Sequence, residues 1–492
     1  MRLKVKFLKW FAGIPVVMLN ESTASEISVP LKGRVTISLS KNSKRISAIV
    51  DLTKGLVGKG EIAVSQEIKE RLSLKRNQEV FVSITEPPKS LDLIKKKLDN
   101  SRLSEAEFNE IINDIVDNSL SGPEIALFVG AMHQQGMSLK ETIYLIKAIL
   151  KTGNKLSFKN KLVVDKHSIG GVPGNRTTPI VVPICASAGL IMPKNSSRAI
   201  TSAAGTADVI EGIAKVEFTI SELRKIIKKT NACMVWGGYL GIVPADSKIL
   251  SIERELNLDA EAHLLASIIS KKLASDSDYI LIDIPCGKTA KVSKKRALRL
   301  KNKFEKIGKY FHKELRVLLT DGSQPIGNGV GPELELADVI KVLRGDKDAP
   351  KDLRDKSLLL SGILLEMAGK AKKGEGIAMA KNILDTKKAF EKFQEIIKAQ
   401  KGKLRPIKKA RFSKDILAFK NCKIKEIDNK KINSIARILG CPYYKLSGMY
   451  LHFHVGDKIK KGDKIMTLYS GSKTSLKQAN DFYKKQKPFK FR

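Results

Sequence analysis

Three stretches of this 492-residue chain concentrate side chains able to handle anions and protons. The first, "SSRAITSAAGTADVIE", runs from Ser196 to Glu211 and holds no Phe, Tyr, Trp or Leu. Ser196, Ser197, Thr201, Ser202 and Thr206 supply hydroxyls and Arg198 a guanidinium. Ala199 and the other small residues leave backbone amides accessible. Together they could form an oxyanion-binding surface. A plain polar loop would read similarly, but a disordered linker would not be bracketed by "VVPICASAGLIM" and "DVIEGIA". Gly205 precedes a predicted helix start near Thr206, where Asp208 would also favour the helix dipole.

The second stretch is the turn "KHSIGGVPGNR" (166–176), which follows the apolar run "KLVVD" (161–165). Gly170 and Gly171 would let backbone amides approach an anion, Ser168 offers a hydroxyl and Lys166 a charge. The start of a following helix would add its dipole. An ordinary tight turn fits the same residues. "CGKT" (286–289) is half of a Walker A loop, but position 282, where the earlier glycine belongs, is Ile.

The third is "LDAEAHLLASIISKKLA" (258–274). Asp259, His263, Ser267 and Lys271 recur every four residues. Each step advances about 40° around a helix, so the four would span about 120° of one face. Such a stripe faces solvent or lines a cleft. Asp259 reads equally as a helix N-cap or as a catalytic carboxyl. His452 and His454 alternate on a predicted strand without an acidic or Cys partner at metal spacing, so they are expected on a strand surface and no metal site is expected.

The elements that must carry these residues are legible in outline. Residues 19–37 and 64–82 align as an internal repeat, pairing Ile27 with Leu72, Val29 with Leu74, Val35 with Val80 and Ile37 with Val82. Each copy reads strand, polar helix start, turn, strand, which predicts a small pseudo-symmetric β-barrel. "TEPPKS" (85–90) reads as a linker. Capping boxes at Ser104/Glu107, Ser121/Glu124 and Ser138/Glu141 mark three helix starts. From 161, buried strands at 161–165, "YILIDI" (279–284) and "ELRVLLT" (314–320) alternate with helical segments. That pattern predicts a parallel or mixed sheet with ligands at the strands' carboxyl ends. The fold class expected is α/β with α+β parts. Its layout is a barrel over 1–86, a helical lobe over 87–156 joined by about 250–278, an α/β lobe over 157–420 and a C-terminal α+β domain over 421–492.

Composition narrows the classes. Five cysteines are scattered, odd in number and without a CxxC pair, which fits a reducing cytosol and argues against disulfides or structural zinc. Near the N-terminus, Leu3, Val5 and Phe7 alternate with charges, which predicts a strand instead of a signal peptide. The longest apolar run, Ile180 to Met192, contains Pro183 and falls short of the ~18–20 residues of a membrane span. A soluble, cytoplasmic protein with no membrane partner is expected. The net charge is +39, from 90 basic and 51 acidic residues. Lys is spread along the chain with no aromatic platform interleaved, which favours a solvated basic surface over a nucleic-acid interface.

Taken together, "DKHSIGG" (165–171), "SSRAITSAAGTADVIE", "LDAEAHLLASIISKKLA" and "GSQPIGNGVGPELE" (322–335) resemble the thymidine phosphorylase family over residues 91–470. The extension at 1–85 and the "SIGGVPGNR" wording look more narrowly like archaeal AMP phosphorylases. The resemblance implies a nucleoside monophosphate and inorganic phosphate as substrates, with free base and ribose 1,5-bisphosphate as products. It places Gly171, Ser197, Arg198, Ala199, Ile200, Thr201, Ser202 and Thr206 around nucleotide and phosphate, with Lys166, Ser168 and Ser196 as further phosphate contacts. It makes Asp259 the proton donor to the leaving base, and Ser267 and Lys291 base- or nucleotide-contacting residues. Pyrimidine-specific members carry an Arg seven residues before the position of Asp259; here that position is Ile252. Phosphate is the nucleophile, so no cofactor, metal or enzyme nucleophile is expected. Asp259 would need its proton when it acts, and the apolar helix is expected to keep it there. The two lobes are expected to close over substrate, and a homodimer or higher homo-oligomer is expected. The other readings are a pyrimidine nucleoside phosphorylase, an anthranilate phosphoribosyltransferase (weakened by the lack of paired acids for a magnesium pyrophosphate) and a basic nucleic-acid-binding protein.

Overall fold

The N-terminal repeat closes on itself. A computed structural model describes all residues except positions 9, 41–43, 160, 200, 201 and 409. In it, β1 (Arg2–Phe7), β2 (Val16–Asn20), β3 (Arg34–Ser38), β4 (Arg45–Thr53), β5 (Glu61–Val64) and β6 (Glu79–Ile84) form a closed barrel in the order β1-β5-β2-β4-β3-β6. The pairing is pseudo-twofold. β1 runs parallel to β5 and antiparallel to β6, while β4 runs parallel to β2 and antiparallel to β3. The symmetry extends to backbone conformation. Ser28 and Lys32 in the first copy, and Ser73 and Asn77 in the second, occupy matching left-handed positions with φ of 54°, 63°, 52° and 61°. Val35, Ile37, Val80 and Val82, matched in sequence, all point into the barrel core. Leu3 and Val5 are buried there too, as the strand alternation predicted.

The chain divides into two compact units. The first comprises Met1–Thr152 and Pro244–Ala266; the second comprises Gly153–Val243 and Ser267–Arg492. Besides the barrel, the first unit holds helices Ser90–Leu98, Glu105–Asp117, Gly122–Gln135, Leu139–Lys151 and Pro244–Leu256. All three predicted capping boxes form. Glu124 also makes a two-pronged ion pair with Arg34 of the barrel, so one carboxylate closes a helix start and ties it to β3.

The second unit is built on parallel strands β7 (Val164–Ser168), β8 (Met192–Ser196), β9 (Ala232–Trp236), β10 (Tyr279–Cys286) and β11 (Glu314–Asp321). β7 pairs with β10 and β10 with β11, β8 pairs with β9, and a parallel bridge from Val163 to Ile191 connects β7 to β8. The spatial order is therefore β11-β10-β7-β8-β9. The chain steps outward from β7 to β9 on one side and resumes at β10 on the other. The direction of winding reverses between β7 and β10, which is where open α/β sheets bind ligands. The largely apolar helix Thr178–Ser187 lies in the core with helices Pro332–Arg344, Lys351–Met367 and Lys388–Ala399.

The predicted strand at 161–165 starts later, at Val164, and runs on through Lys166, His167 and Ser168. Pairing with β10 (Lys166 opposite Leu281, Ser168 opposite Asp283) overrides the polar character of these residues. C-terminal strands Phe412–Leu417, Gly448–Leu451 and Lys464–Ser470 form a sheet that Gly329–Val330 joins. His452 and His454 fall beyond the end of strand Gly448–Leu451, a correction to their expected placement on a strand face. His452 Nε2 lies 2.9 Å from Thr467 Oγ1, and His454 Nε2 2.9 Å from Asn328 Oδ1. Among the described residues, no helix is long and apolar enough to cross a membrane.

Candidate active site

Strands β7 and β10 bring a set of charges into the interior that strand chemistry alone would not favour. Asp165, Lys166 and Asp283 are each at most 1% exposed. Asp165 receives Lys194 Nζ at 3.1 Å and Lys272 Nζ at 2.6 Å, both ammonium groups buried. Burial alone would raise the Asp165 carboxyl, but the two ammonium groups outweigh it and hold it below the usual carboxylate range. Asp283 likewise stays low despite burial, because Lys356 lies 3.1 Å away and Lys166 is near. Thr320 Oγ1 donates to it at 2.6 Å. Among the described residues no carboxylate lies within ion-pair distance of the Lys166 ammonium; its Nζ donates to Thr177 Oγ1 at 2.5 Å. Burial, reinforced by Lys356, Lys194 and Arg176, pushes it down to about 7 despite the pull of Asp283. This cluster thus sets four lysines, 166, 194, 272 and 356, against two aspartates.

The loop above the cluster is shaped for close approach. Gly170 and Gly171 have φ of 83° and 91°, a region costly for other residues. A Cβ at Gly171 would sit 2.5 Å from Lys291 Cβ, so the turn after β7 packs directly on the loop after β10. The structure therefore brings Gly171 and Lys291 together at the switch point, with Lys166 beneath and Ser168 at the end of β7. Asn175 Nδ2 reaches both Ser168 Oγ and Asp283 Oδ2, at 3.3 and 3.4 Å.

An anion beside Lys166 would restore its charge. Phosphate binding at pH 8, where phosphate is already doubly charged, is therefore expected to take up protons. Affinity is expected to fall as pH rises above about 7. Calorimetry in buffers of different ionisation enthalpy reads this directly, and proton release or no exchange would remove Lys166 from the phosphate site.

The 196–211 segment is organised around Asp208. Its Oδ2 accepts from Ala199 N at 2.7 Å and Gly205 N at 2.8 Å, closing the loop ahead of helix Thr206–Ile210. The Ala199 amide, expected to face an anion, is thus engaged within the loop. Ser202 Oγ donates to Ala204 O at 2.9 Å, and Ser196 Oγ to Val235 O at 3.5 Å. Ser197 packs through its carbonyl, which a Cβ at Gly205 would meet at 2.7 Å. Thr206 Oγ1 accepts from Arg176 Nη1 at 3.1 Å. Ile200 and Thr201 lie outside the described residues. Arg198, read from sequence as a phosphate contact, is instead turned onto acids. It pairs with both Glu211 oxygens at 2.7 and 2.6 Å, with Glu217 at 3.3 Å and with Asp208 at 3.6 Å, and it stacks over Trp236. The Arg198 hydrogen bonds hold Glu211 down at about 2, with Lys445 adding to the effect. Arg198→Ala is accordingly expected to destabilise the fold by about 1.5–3 kcal/mol, the range for hydrogen bonds to charged groups. Denaturant unfolding checks this; unchanged stability with weakened nucleotide binding would return Arg198 to direct phosphate contact.

The third stretch divides. Helix Glu261–Ala274 begins two residues after Asp259, so Asp259 lies ahead of the helix and not on its face, outside the apolar helical setting expected for it. Asp259 is half-buried in the 257–260 connection and belongs to the first unit. Ser267 and Lys271 remain on the helix and belong to the second, where Lys271 Nζ donates to Ser267 Oγ at 2.7 Å. The sequence reading missed Asp165, Lys194, Lys272, Asp283 and Arg176. For Asp165, Lys194 and Asp283 the available signal was a charged residue set into or just after an apolar run, in "LVVDK", "LIMPK" and "ILID". Arg176 is the fastener between loops: it donates to Glu335 at 2.8 Å, Thr206 Oγ1 and Ala204 O.

A helical bundle followed by an α/β unit with a cationic, glycine-lined switch point is the layout of a glycosyl transferase. The sequence profiles of the glycosyl transferase family match on this pattern: its helical bundle domain at residues 91–153 and its a/b domain at 160–390. The pyrimidine nucleoside phosphorylase C-terminal domain matches at 423–489. The solved anthranilate phosphoribosyltransferase of Thermus thermophilus shares the fold, with a TM-score of 0.52 over 63% of this chain and 100% of that one, at 18% identity. A chain of Legionella pneumophila (strain Corby), provisionally named thymidine phosphorylase, is 42% identical over 449 residues, 91% of this chain and 86% of its own. The AMP phosphorylase of Thermococcus kodakarensis is 41% identical over 495 residues, covering 100% and 98%. That of Methanococcus vannielii is 38% identical over 481 residues, covering 97% and 95%. The chain belongs to the thymidine and AMP phosphorylase family, and it is an enzyme of the pentosyltransferase kind.

Proposed function

We propose that the enzyme is a nucleoside monophosphate phosphorylase that converts AMP, with CMP and UMP as further candidates, and phosphate into free base and ribose 1,5-bisphosphate. The observation that carries this reading is the surplus of buried lysines over aspartates under the β7 and β10 loops. Burying uncompensated cations is costly, and a site that receives two phosphate groups would offset that cost whenever it is occupied. The similarity to AMP phosphorylases also extends through the N-terminal barrel to nearly the full length of both chains.

In this reading a phosphate oxygen bonds to C1′ as the C1′–N bond breaks. The bonding pair leaves with the base nitrogen, and Asp259 gives that nitrogen its proton. Ser168, Gly171, Lys291 and the hydroxyls of the 196–206 segment hold the anions, with Lys166 setting the charge beneath them. The reading assigns no step to a metal or an organic cofactor. It includes assembly as a homodimer or higher homo-oligomer, to be read by light scattering.

The second reading, a pyrimidine nucleoside phosphorylase, draws on the 42% identity to the Legionella chain. Against it stands Ile252, where pyrimidine-specific members carry Arg. This residue lies on helix Pro244–Leu256, and a Cβ at Gly122 would sit 3.7 Å from its Cδ1. The deciding experiment is product analysis after incubation of each monophosphate with phosphate. Free base with ribose 1,5-bisphosphate supports the proposal; products from nucleosides alone overturn it.

A further inference from the structure

One of the six histidines is fully buried between two acids and has no part in the reaction described so far. His263 lies in the first turn of helix Glu261–Ala274. Its Nδ1 is 2.9 Å from Glu253 Oε2 and its Nε2 3.4 Å from Asp246 Oδ1. Both acids lie on helix Pro244–Leu256 and both are buried. A neutral imidazole has a single N–H, so one of its nitrogens would turn a lone pair toward a carboxylate; only the imidazolium serves both. Burial by itself would lower the His263 pKa, but Glu253 and Asp246 outweigh it and raise it to about 9.

Glu253 has a second attachment. Its other carboxylate oxygen, Oε1, accepts from Ala260 N at 3.3 Å, and its backbone carbonyl accepts from Leu258 N at 3.0 Å. Asn257, with φ of 52°, makes the turn that allows both. The residues on either side of Asp259 are therefore held by one glutamate, and His263 holds that glutamate's carboxylate. For stability alone three apolar residues would serve as well, since replacing a whole buried charge cluster is often neutral or favourable, whereas removing His263 alone leaves two buried carboxylates without their counter-charge.

We propose that His263 is a positioning residue for Asp259: held between Glu253 and Asp246, its imidazolium fixes the carboxylate from which the 258–260 segment hangs. The inference rests on Asp259 as the proton donor. It is tested with His263→Leu, made alone and in an Asp259→Asn background, by initial rates with phosphate and either AMP or thymidine. Each comparison uses whichever substrate the unaltered enzyme turns over. His263→Leu alone is expected to lower kcat by up to about 100-fold, the scale of a 1 Å misplacement, with KM changed less than about threefold. In the Asp259→Asn background it is expected to cost less than about twofold, because the group it positions is already lost. Equal losses in both backgrounds, or a lowered Tm with kcat intact, would overturn the proposal and leave the acid role of Asp259 standing. Full activity of Asp259→Asn would overturn both the acid role and the proposal. A wild-type enzyme that turns over thymidine and not AMP would overturn only the substrate assignment. If His263→Leu does not fold, Glu253→Gln takes its place in the same comparison. That variant keeps a side-chain oxygen for Ala260 N but loses the charge that pairs with His263.

Discussion

AMP is expected to exceed adenosine in kcat/KM by about 10⁴–10⁵-fold at fixed phosphate, the penalty typical of a site whose buried polar groups are left unpaired by a substrate lacking their partner. The physical basis is the charge imbalance at the switch point. Asp165 is matched by Lys194 and Lys272, and Asp283 by Lys356, while Lys166 is left with hydroxyl partners. Inorganic phosphate alone would answer part of this surplus, and a substrate that brings a second dianion would answer more of it. A nucleoside leaves the remainder unanswered. Ile252, in place of the arginine that pyrimidine-specific members are expected to carry, points the same way: recognition is expected to rest on phosphate more than on the base. Steady-state rates for AMP, CMP, UMP, adenosine and thymidine decide it. Thymidine turned over as well as or better than the monophosphates would reverse the assignment and leave the fold and Asp259 untouched.

Asp259→Asn is expected to lower kcat by about 10²–10⁴-fold, the contribution of a general acid to such a step. Folding and nucleotide affinity are expected to stay close to wild type. Asp259 is half-buried in a short connection outside any helix, and asparagine nearly matches its volume, so the substitution opens no cavity. Asparagine keeps the size and a polar head but cannot give up a proton to the leaving base. Equilibrium binding of AMP alongside kcat separates chemistry from recognition. Turnover near wild type would take the proton from some other donor and remove Asp259 from the mechanism.

Much of this was legible before any coordinates. The internal repeat foretold the barrel because a period-2 pattern and the turns between its strands are local properties, and the two copies even share their left-handed residues. The capping boxes at Ser104, Ser121 and Ser138 formed because each needs only a residue and its neighbour three positions on. The glycine turn after β7 was likewise recognisable, since only glycine tolerates its backbone next to Lys291.

What failed to read through was decided by partners distant in sequence. Asp259 left its expected helix face because Glu253, on another helix, captures Ala260 N and Leu258 N ahead of the helix start. Arg198 turned away from the expected anion because Glu211, Glu217 and Asp208 converge on it once the loop folds. By itself the sequence determined which residue types could bind anions and move a proton, and which local elements carry them. Only the tertiary structure decided which of their charges cancel. Lys194, Lys272 and Lys356 meet Asp165 and Asp283 from another strand and two helices while Lys166 is left with hydroxyl partners, and a balance of charge in a low-dielectric interior depends on spatial neighbours that no local pattern encodes.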